Sequence, residues 1–322
     1  MYPTSGATIR ADINIKVEEA AAADKLFIGA HVLPPLGVEA KSGTYPKVQI
    51  AEGELLTPGS TIRARSGSYG EITRKWTTDS YDCGDRGLEA PIDDTDSKDL
   101  KRFFNLEVAS AMWVLRNMKM DHEIRVKDAV FNTSNFGSAT NSATAYTEGN
   151  LATMDFPADI LAAIERINDN GMEANTIILS STVLNRVKRS AKLKEWVRGS
   201  FQGETQAPIN AESLAKSFAD HGITQCLVGR ARYNSAKKGQ AKSMALVWPS
   251  TYVWVGCVNS RASTPQDGGA GFTFVWNEEG GLFVSETYRN EPRRSNLVRV
   301  RQNTTEKITD PTCGALIATQ WS

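Results

Sequence analysis

From Lys41 to Asp96 the chain has strand-like sequence with almost nothing to bury. TYPKVQI and EITRKWTTDSY are β-forming, but they flank the Gly- and Ser-rich TPGSTIRARSGSYGE and lead into DCGDRGLEAPIDDTD. Alternation along the second strand puts Ile72, Arg74, Trp76, Thr78 and Ser80 on one face and Thr73, Lys75, Thr77, Asp79 and Tyr81 on the other. Neither face is apolar enough to pack against a core of its own. An isolated two-stranded ribbon is marginal in water, so a long one with two polar faces needs support from another molecule. The chain is therefore expected to assemble, with Ile72, Arg74, Trp76 and Tyr81 as inter-subunit contacts from the ribbon.

The ribbon is followed by the longest helical pattern, Ser97 to Met118. Asp96 or Ser97 is suited to the N-cap, Asp99 puts negative charge in the first turn, and no Gly or Pro interrupts the run. Leu100, Phe104, Val108, Ala111 or Met112, Leu115 and Met118 form one apolar stripe, and Phe103, Leu106 and Trp113 widen it. A helix over this span is roughly 33 Å long. Its second face, around Phe103, Leu106 and Trp113, is expected to receive strands from the C-terminal part. DHEIRVKDAVFN either continues the helix or forms a second one, and Met120 and Asp121 are where a bend could fall.

Elsewhere the pattern is ordinary. Residues 1 to 40 read as an arm, with VLPPLGV ending any helix there. TSNFGSATNSATAYTEGN, poor in aliphatics, reads as a loop or mobile insertion. Pro157 and Gly171 bracket a helix carrying Ile160, Leu161, Ile164 and Ile167; NTIILSS is a buried strand, with Ser181 or Thr182 capping a helix through Ala191. Asn210 to His221 is another helix, followed by strands in TQCLVGRARY, MALVW and TYVWVGCV. After the Gly-rich SRASTPQDGGAG come FTFVW, LFVSETY and NLVRVRQNTTEKI, the last with one wet face, and then a short final strand, ALIATQW.

Length and charge narrow the function classes. The 322 residues suggest about two domains. Lys plus Arg equals Asp plus Glu at 37 each, so no global field favours nucleic acid or an anionic membrane. Cys83, Cys226, Cys257 and Cys313 form no CxxC pair, which points to inert thiols in a reducing, cytoplasmic setting. No signal-peptide core opens the sequence, and its most apolar run, Met244 to Val258, is broken at Pro249 and Ser250. His31, His122 and His221 match no catalytic pattern, the Gly268 to Gly271 cluster lacks the context of a phosphate loop, and Asp93, Asp94 and Asp96 read as capping charge. No catalytic, cofactor or metal residue is assigned. RVKRSAKLKEWVR, read as one helix, offers Lys188, Arg189 and Lys192 as candidate DNA-facing residues. Arg289, Arg293, Arg294, Arg299 and Arg301 lie near Glu286 and Glu291, so ion pairing between subunits is expected of the group, with Arg293 and Arg294 as candidate inter-subunit contacts.

In this order, arm, polar ribbon, long helix, α/β unit, Gly-rich loop and returning strands resemble the tailed-phage major capsid protein of the HK97-like fold. FIGAHVLPPLGVEAKSGTYPKV, DFPADILAAIERINDNGMEANTIILSS and LAKSFADHGITQCLVGRARYNSAKKG leading into MALVWPSTYVWV carry the resemblance. It implies an α+β chain with an N-arm (1–40), an extended β-hairpin loop (41–95), a peripheral domain on a spine helix (96–150), an axial α/β domain (151–258), a loop with returning peripheral strands (259–310) and a C-terminal strand (311–322). The implied function is non-enzymatic: pentamers and hexamers closing into an icosahedral head around double-stranded DNA. Separate scaffolding, portal and decoration proteins are implied partners, with assembly in the host cytoplasm, residence in the virion and no membrane. No cross-linking partner matches Lys75. The alternatives are an encapsulin-like compartment of the same fold and, from another class, an α/β enzyme with an interdomain cleft.

Overall fold

Asn105 begins the element that joins the two halves of the molecule. Its backbone is extended and its side chain accepts from the Glu107 and Val108 amides, with Glu107 in the first turn. The helix then runs unbroken from Leu106 to Val130, about 38 Å. Asp96 and Ser97, the expected cap, lie outside the described residues, and DHEIRVKDAV continues the same helix. The computed structural model describes residues 8–9, 13, 15–16, 19, 25–47, 61–63, 65, 67–70, 77–95, 105–137, 139–200, 208–237, 239–276 and 282–321. Leu100, Phe103 and Phe104 lie outside them.

In chain order the first elements are β1 (Thr8–Ile9), α1 (Gly29–Val32), β2 (Pro35–Val38), β3 (Ser42–Lys47), β4 (Thr77–Asp82) and β5 (Gly84–Asp93), then α2 (Leu106–Val130), the long helix. There follow α3 (Thr133–Phe136), β6 (Thr140–Asn141), α4 (Phe156–Asn168), β7 (Thr176–Ser180), α5 (Ser181–Val187), α6 (Ala191–Ser200) and α7 (Ala211–Ser217). Strands β8 (Gln225–Gly229), β9 (Arg232–Asn234), β10 (Met244–Leu246), β11 (Tyr252–Gly256), β12 (Gly271–Trp276), β13 (Val284–Asn290), β14 (Ser295–Ile308) and β15 (Gly314–Ala318) complete the described elements.

Two sheets organise these elements. The first has the order β1-β13-β14-β12-β2, with β5 also on β14. β14 is long enough to pair with β13 over Ser295 to Arg301 and with β12 over Thr304 to Ile308. Val298 and Val300 project onto the N-terminal half of α2, meeting Ala111, Val114, Leu115 and Met118 with Ile13 and Ile92. The second sheet has the order β6-β15-β11-β7-β8. Its central strands β15, β11 and β7 are buried on both faces: Val253 and Val255 turn toward α4 to α7, while Trp254 turns toward Val126 and Val130 at the C-terminal end of α2. One helix therefore packs against a half-wet sheet and the buried centre of a second one.

Several expectations change. Trp113 is 64% exposed, so it is not where the strands pack; they use the Ala111, Leu115 and Met118 stripe, while Leu106 is half-buried beside it. The arm is partly woven into its own subunit, since β1 pairs with β13 and β2 adds in parallel to β12. The polar segment after Asn132 is pinned as well: Phe136 packs on Trp254, β6 pairs with β15, and the fully buried Tyr146 donates to Asp159 at 2.8 Å. The basic run is two helices. Ser180 caps α5, which ends at Val187, and the buried Ser190 hydroxyl donates to the Met154 carbonyl before α6 starts at Ala191. The wet face of β14 also closes early, because Leu297 is buried.

Candidate assembly interface

The described base of the ribbon consists of β3 and β4, antiparallel with Lys47 opposite Thr77. It is fixed to the first sheet by aromatic packing. The Tyr81 ring stacks on Phe274 with centroids 5.0 Å apart, and Tyr45 sits 5.2 Å from the same ring. Tyr45 is buried and donates to Asp79, with Cys83 beneath it. Burial, reinforced by Asp79, holds the Tyr45 phenol above its ordinary pKa, so it stays a donor. Beyond this anchor the described residues face solvent: Ile62 is 88% and Tyr69 70% exposed, with the Arg63 guanidinium 5.1 Å from the Tyr69 ring. A fixed base thus presents apolar side chains that the subunit itself does not cover.

The sequence-predicted contact residues separate. Ile72, Arg74 and Trp76 lie outside the described residues. Tyr81 is half-buried, its ring committed to Phe274. Arg293 and Arg294 sit in the exposed turn between β13 and β14, without an ion pair among the described residues. The other arginines of that group pair within the subunit, correcting the expectation of pairing between subunits. Register explains it: β13 and β14 place Glu286 opposite Arg299, and the buried Glu286 carboxylate accepts from both Arg299 and Arg301. Arg289 meets Asp94 and Glu291 in the same way. The candidate DNA-facing residues are also partly engaged. Arg189 bonds Glu148 and Lys192 lies 4.0 Å from Asp155, leaving Lys188 exposed.

What sequence reading missed is the polar seam along α2. Glu123, fully buried, accepts from the Ile28 amide at 3.1 Å, the Gly29 amide at 2.6 Å and the Trp248 indole. It thereby caps the short α1 and ties it to Trp248, in the segment between β10 and β11. One residue earlier, His122 Nε2 faces Thr273 Oγ1 at 3.3 Å. Thr273 donates its own hydroxyl hydrogen to the Leu33 carbonyl, so the imidazole Nε2 carries the proton between them. Arg125 bonds Thr304 and Glu306 on β14. About one turn of α2 is thus stitched to the first sheet, to α1 and to the segment between β10 and β11.

His122 makes the fold acid-sensitive. Burial, and then the Arg125 charge, push its pKa down to about 3. The unfolded imidazole titrates near pH 6.5. Between those values the unfolded chain binds a proton that the folded chain does not. Stability therefore falls as pH drops from about 6.5, by up to roughly 1.4 kcal/mol per pH unit from this group. Glu306, its pKa raised by burial against the opposing pull of Arg125, contributes with the opposite sign just above 4.5. In urea titrations of His122→Gln, the loss of stability between pH 6.5 and 4.5 is expected to be shallower than in the parent; parallel slopes would reject this role for His122.

The thiols carry no reactive signature. All four cysteines are free, and burial raises each pKa, that of Cys226 to about 12. Among the described residues no metal-binding cluster occurs, and no helix is long and apolar enough to cross a membrane.

Comparison with known proteins points the same way. No protein-family model matches the chain. A curated relative, the major capsid protein of Pseudomonas phage JBD67, is 21% identical over 291 residues, covering 89% of this chain and 90% of its own. Among solved structures, a phage-related protein from Bordetella bronchiseptica RB50 superposes with a TM-score of 0.71 at 20% identity, covering 98% of both chains. The holo-SrpI encapsulin complex from Synechococcus elongatus PCC 7942 gives 0.53 at 11% identity over 94% of each.

Proposed function

We propose that this chain, which has the HK97-like capsid fold, is a phage major capsid protein whose copies assemble into a closed shell. The observation that carries the reading is the anchored ribbon with its uncovered tip. Tyr45 and Tyr81 hold the base rigidly on Phe274, while Ile62 and Tyr69 stay in solvent until another subunit covers them. The end-to-end similarity to a curated major capsid protein supports the same conclusion. The role is structural rather than catalytic, since its chemistry is burial of surface between copies.

The finer reading follows from this. The ribbon lies across a neighbouring subunit, with Ile72, Arg74 and Trp76 among its contacts, and Arg293 and Arg294 contact another copy at the exposed turn. Residues 96–150 and 259–310 form the peripheral domain and 151–258 the axial domain, with the C-terminal strand 311–322 packed as β15 in the second sheet. Pentamers and hexamers close around double-stranded DNA, with scaffolding, portal and decoration proteins as separate partners and assembly in the host cytoplasm. An encapsulin-like compartment shares the fold, as the Synechococcus similarity illustrates. Particle content separates the two.

Negative-stain microscopy of the purified chain is expected to show closed, uniform shells. Particles made in an infected host should contain nuclease-protected DNA. A chain that stays monomeric at tens of micromolar, with a defined small-molecule ligand, would instead indicate an enzyme.

A further inference from the structure

Between Asp220 and Asp267 there is no acidic residue, yet the stretch contains Arg230, Arg232, Lys237, Lys238, Lys242 and Arg261. Since the whole chain has equal numbers of acids and bases, the rest carries a net negative charge. The positive charge is gathered on one device, the β9–β10 hairpin, which forms a separate two-stranded sheet.

Its base is rigid. Ala231 is fully buried and its carbonyl accepts from the Val247 amide, while Tyr233 packs against the core around Trp248. Alternation then fixes what faces outward. Arg232 pairs across with Leu246 and Asn234 with Met244, so Arg232, Asn234 and the 45%-exposed Met244 share the face opposite to Tyr233. The tip is tied by Asn234 Oδ1, which accepts from the Ala236 and Ser243 amides. It then projects into open space: a Cβ placed on Gly239 would meet nothing within 4 Å. Arg230, Arg232, Lys237 and Lys242 are exposed, and none has an ion-pair partner among the described residues. By contrast, Arg189 and Lys192 on the other basic segment have acids beside them.

We propose that the β9–β10 hairpin is a sequence-independent contact for the phosphate backbone of double-stranded DNA, made by Arg230, Arg232, Lys237 and Lys242. The inference deepens the shell reading and rests on it for the identity of the polyanion. Composition favours DNA over an acidic face of a second copy. Protein interfaces are depleted in Lys and centred on apolar anchors, whereas this surface offers Met244 as its sole large exposed apolar side chain and otherwise Arg, Lys, Asn, Ser, Gln and Gly. Protein–DNA interfaces are positive and polar in this way.

The test uses the full chain, a mixed-sequence DNA duplex and fluorescence anisotropy across a salt series, with shell formation scored in parallel by microscopy. Each phosphate contact contributes about −0.9 to the slope of log affinity against log salt. Arg232→Ser, Lys237→Ser and Lys242→Ser together are expected to remove about 2.7 from that slope, which is roughly 40-fold in affinity between 50 and 200 mM salt. Shells should form as in the parent. Lys188→Ser with Arg189→Ser and Lys192→Ser should leave DNA binding unchanged. Equal affinity and slope for the hairpin variant would overturn the inference while leaving the shell reading intact. Loss of shells with DNA binding retained would overturn it in favour of a contact between copies. Absence of shells from the parent chain would strike the shell reading separately.

Discussion

Glu123→Ala is expected to be among the most damaging single substitutions in the chain, lowering folding stability by roughly 3–5 kcal/mol. Three donors converge on that carboxylate from two separate segments: the Ile28 and Gly29 amides and the Trp248 indole. Truncation leaves all three buried without an acceptor and opens a void between α1, α2 and the second sheet. Glu123→Gln retains one acceptor oxygen but turns an NH2 group toward an N–H that needs an acceptor, so it should fall between the parent and Ala. Gly29 reports on the same contact from the other side. A Cβ there would lie 2.8 Å from Glu123 Oε2, so Gly29→Ala must displace the carboxylate it bonds. Urea midpoints of the unassembled chain should rank parent, then Gln, then Ala. An Ala variant within about 0.5 kcal/mol of the parent would show that the seam does not hold α1.

That network also marks where sequence reading stops. In DHEIRVKDAV, Glu123 and His122 look like any solvated helix pair, because burial is set by partners more than ninety residues away. The sequence left open whether α2 continues through DHEIRVKDAV, and it did not show where the helix starts. Apolar residues upstream of Asn105 keep the helical spacing, whereas the cap is decided by a backbone turn at one residue. Likewise the basic run reads as one helix until Ser190 is seen spending its hydroxyl on the Met154 carbonyl. Its charges then split between α5, a turn and α6. The nearness of Glu286 to Arg299 and Arg301 was legible in the sequence, but whether they pair within one subunit or between two was not, because the strand register sets them across from each other. The ribbon was legible for the opposite reason: its lack of a buriable face is a property of its own residues.

The ribbon also gives the largest assembly effect. Deleting the whole span from Thr44 to Tyr81 would remove Tyr45 and Tyr81 and uncover Phe274, confusing misfolding with lost assembly. The register offers a cleaner cut. Lys47 stands directly opposite Thr77, so replacing residues 48–76 with Asn-Gly closes the base as a two-residue hairpin. That variant should keep the parent's unfolding midpoint, because the aromatic anchor stays, and yet form no shells. A milder version tests the tip: Ile62→Asp with Tyr69→Ala removes two exposed side chains whose burial against a neighbour is worth about 1.5–3 kcal/mol each. Every 1.4 kcal/mol is tenfold in association, so the protein concentration needed for shells should rise at least tenfold. In the shell proposed above each copy both gives and receives the ribbon, so the loss would recur at every contact and the transition should be sharp. Parent-like particles from the truncated chain would mean that other surfaces carry assembly and that the ribbon's polar faces serve solvent alone.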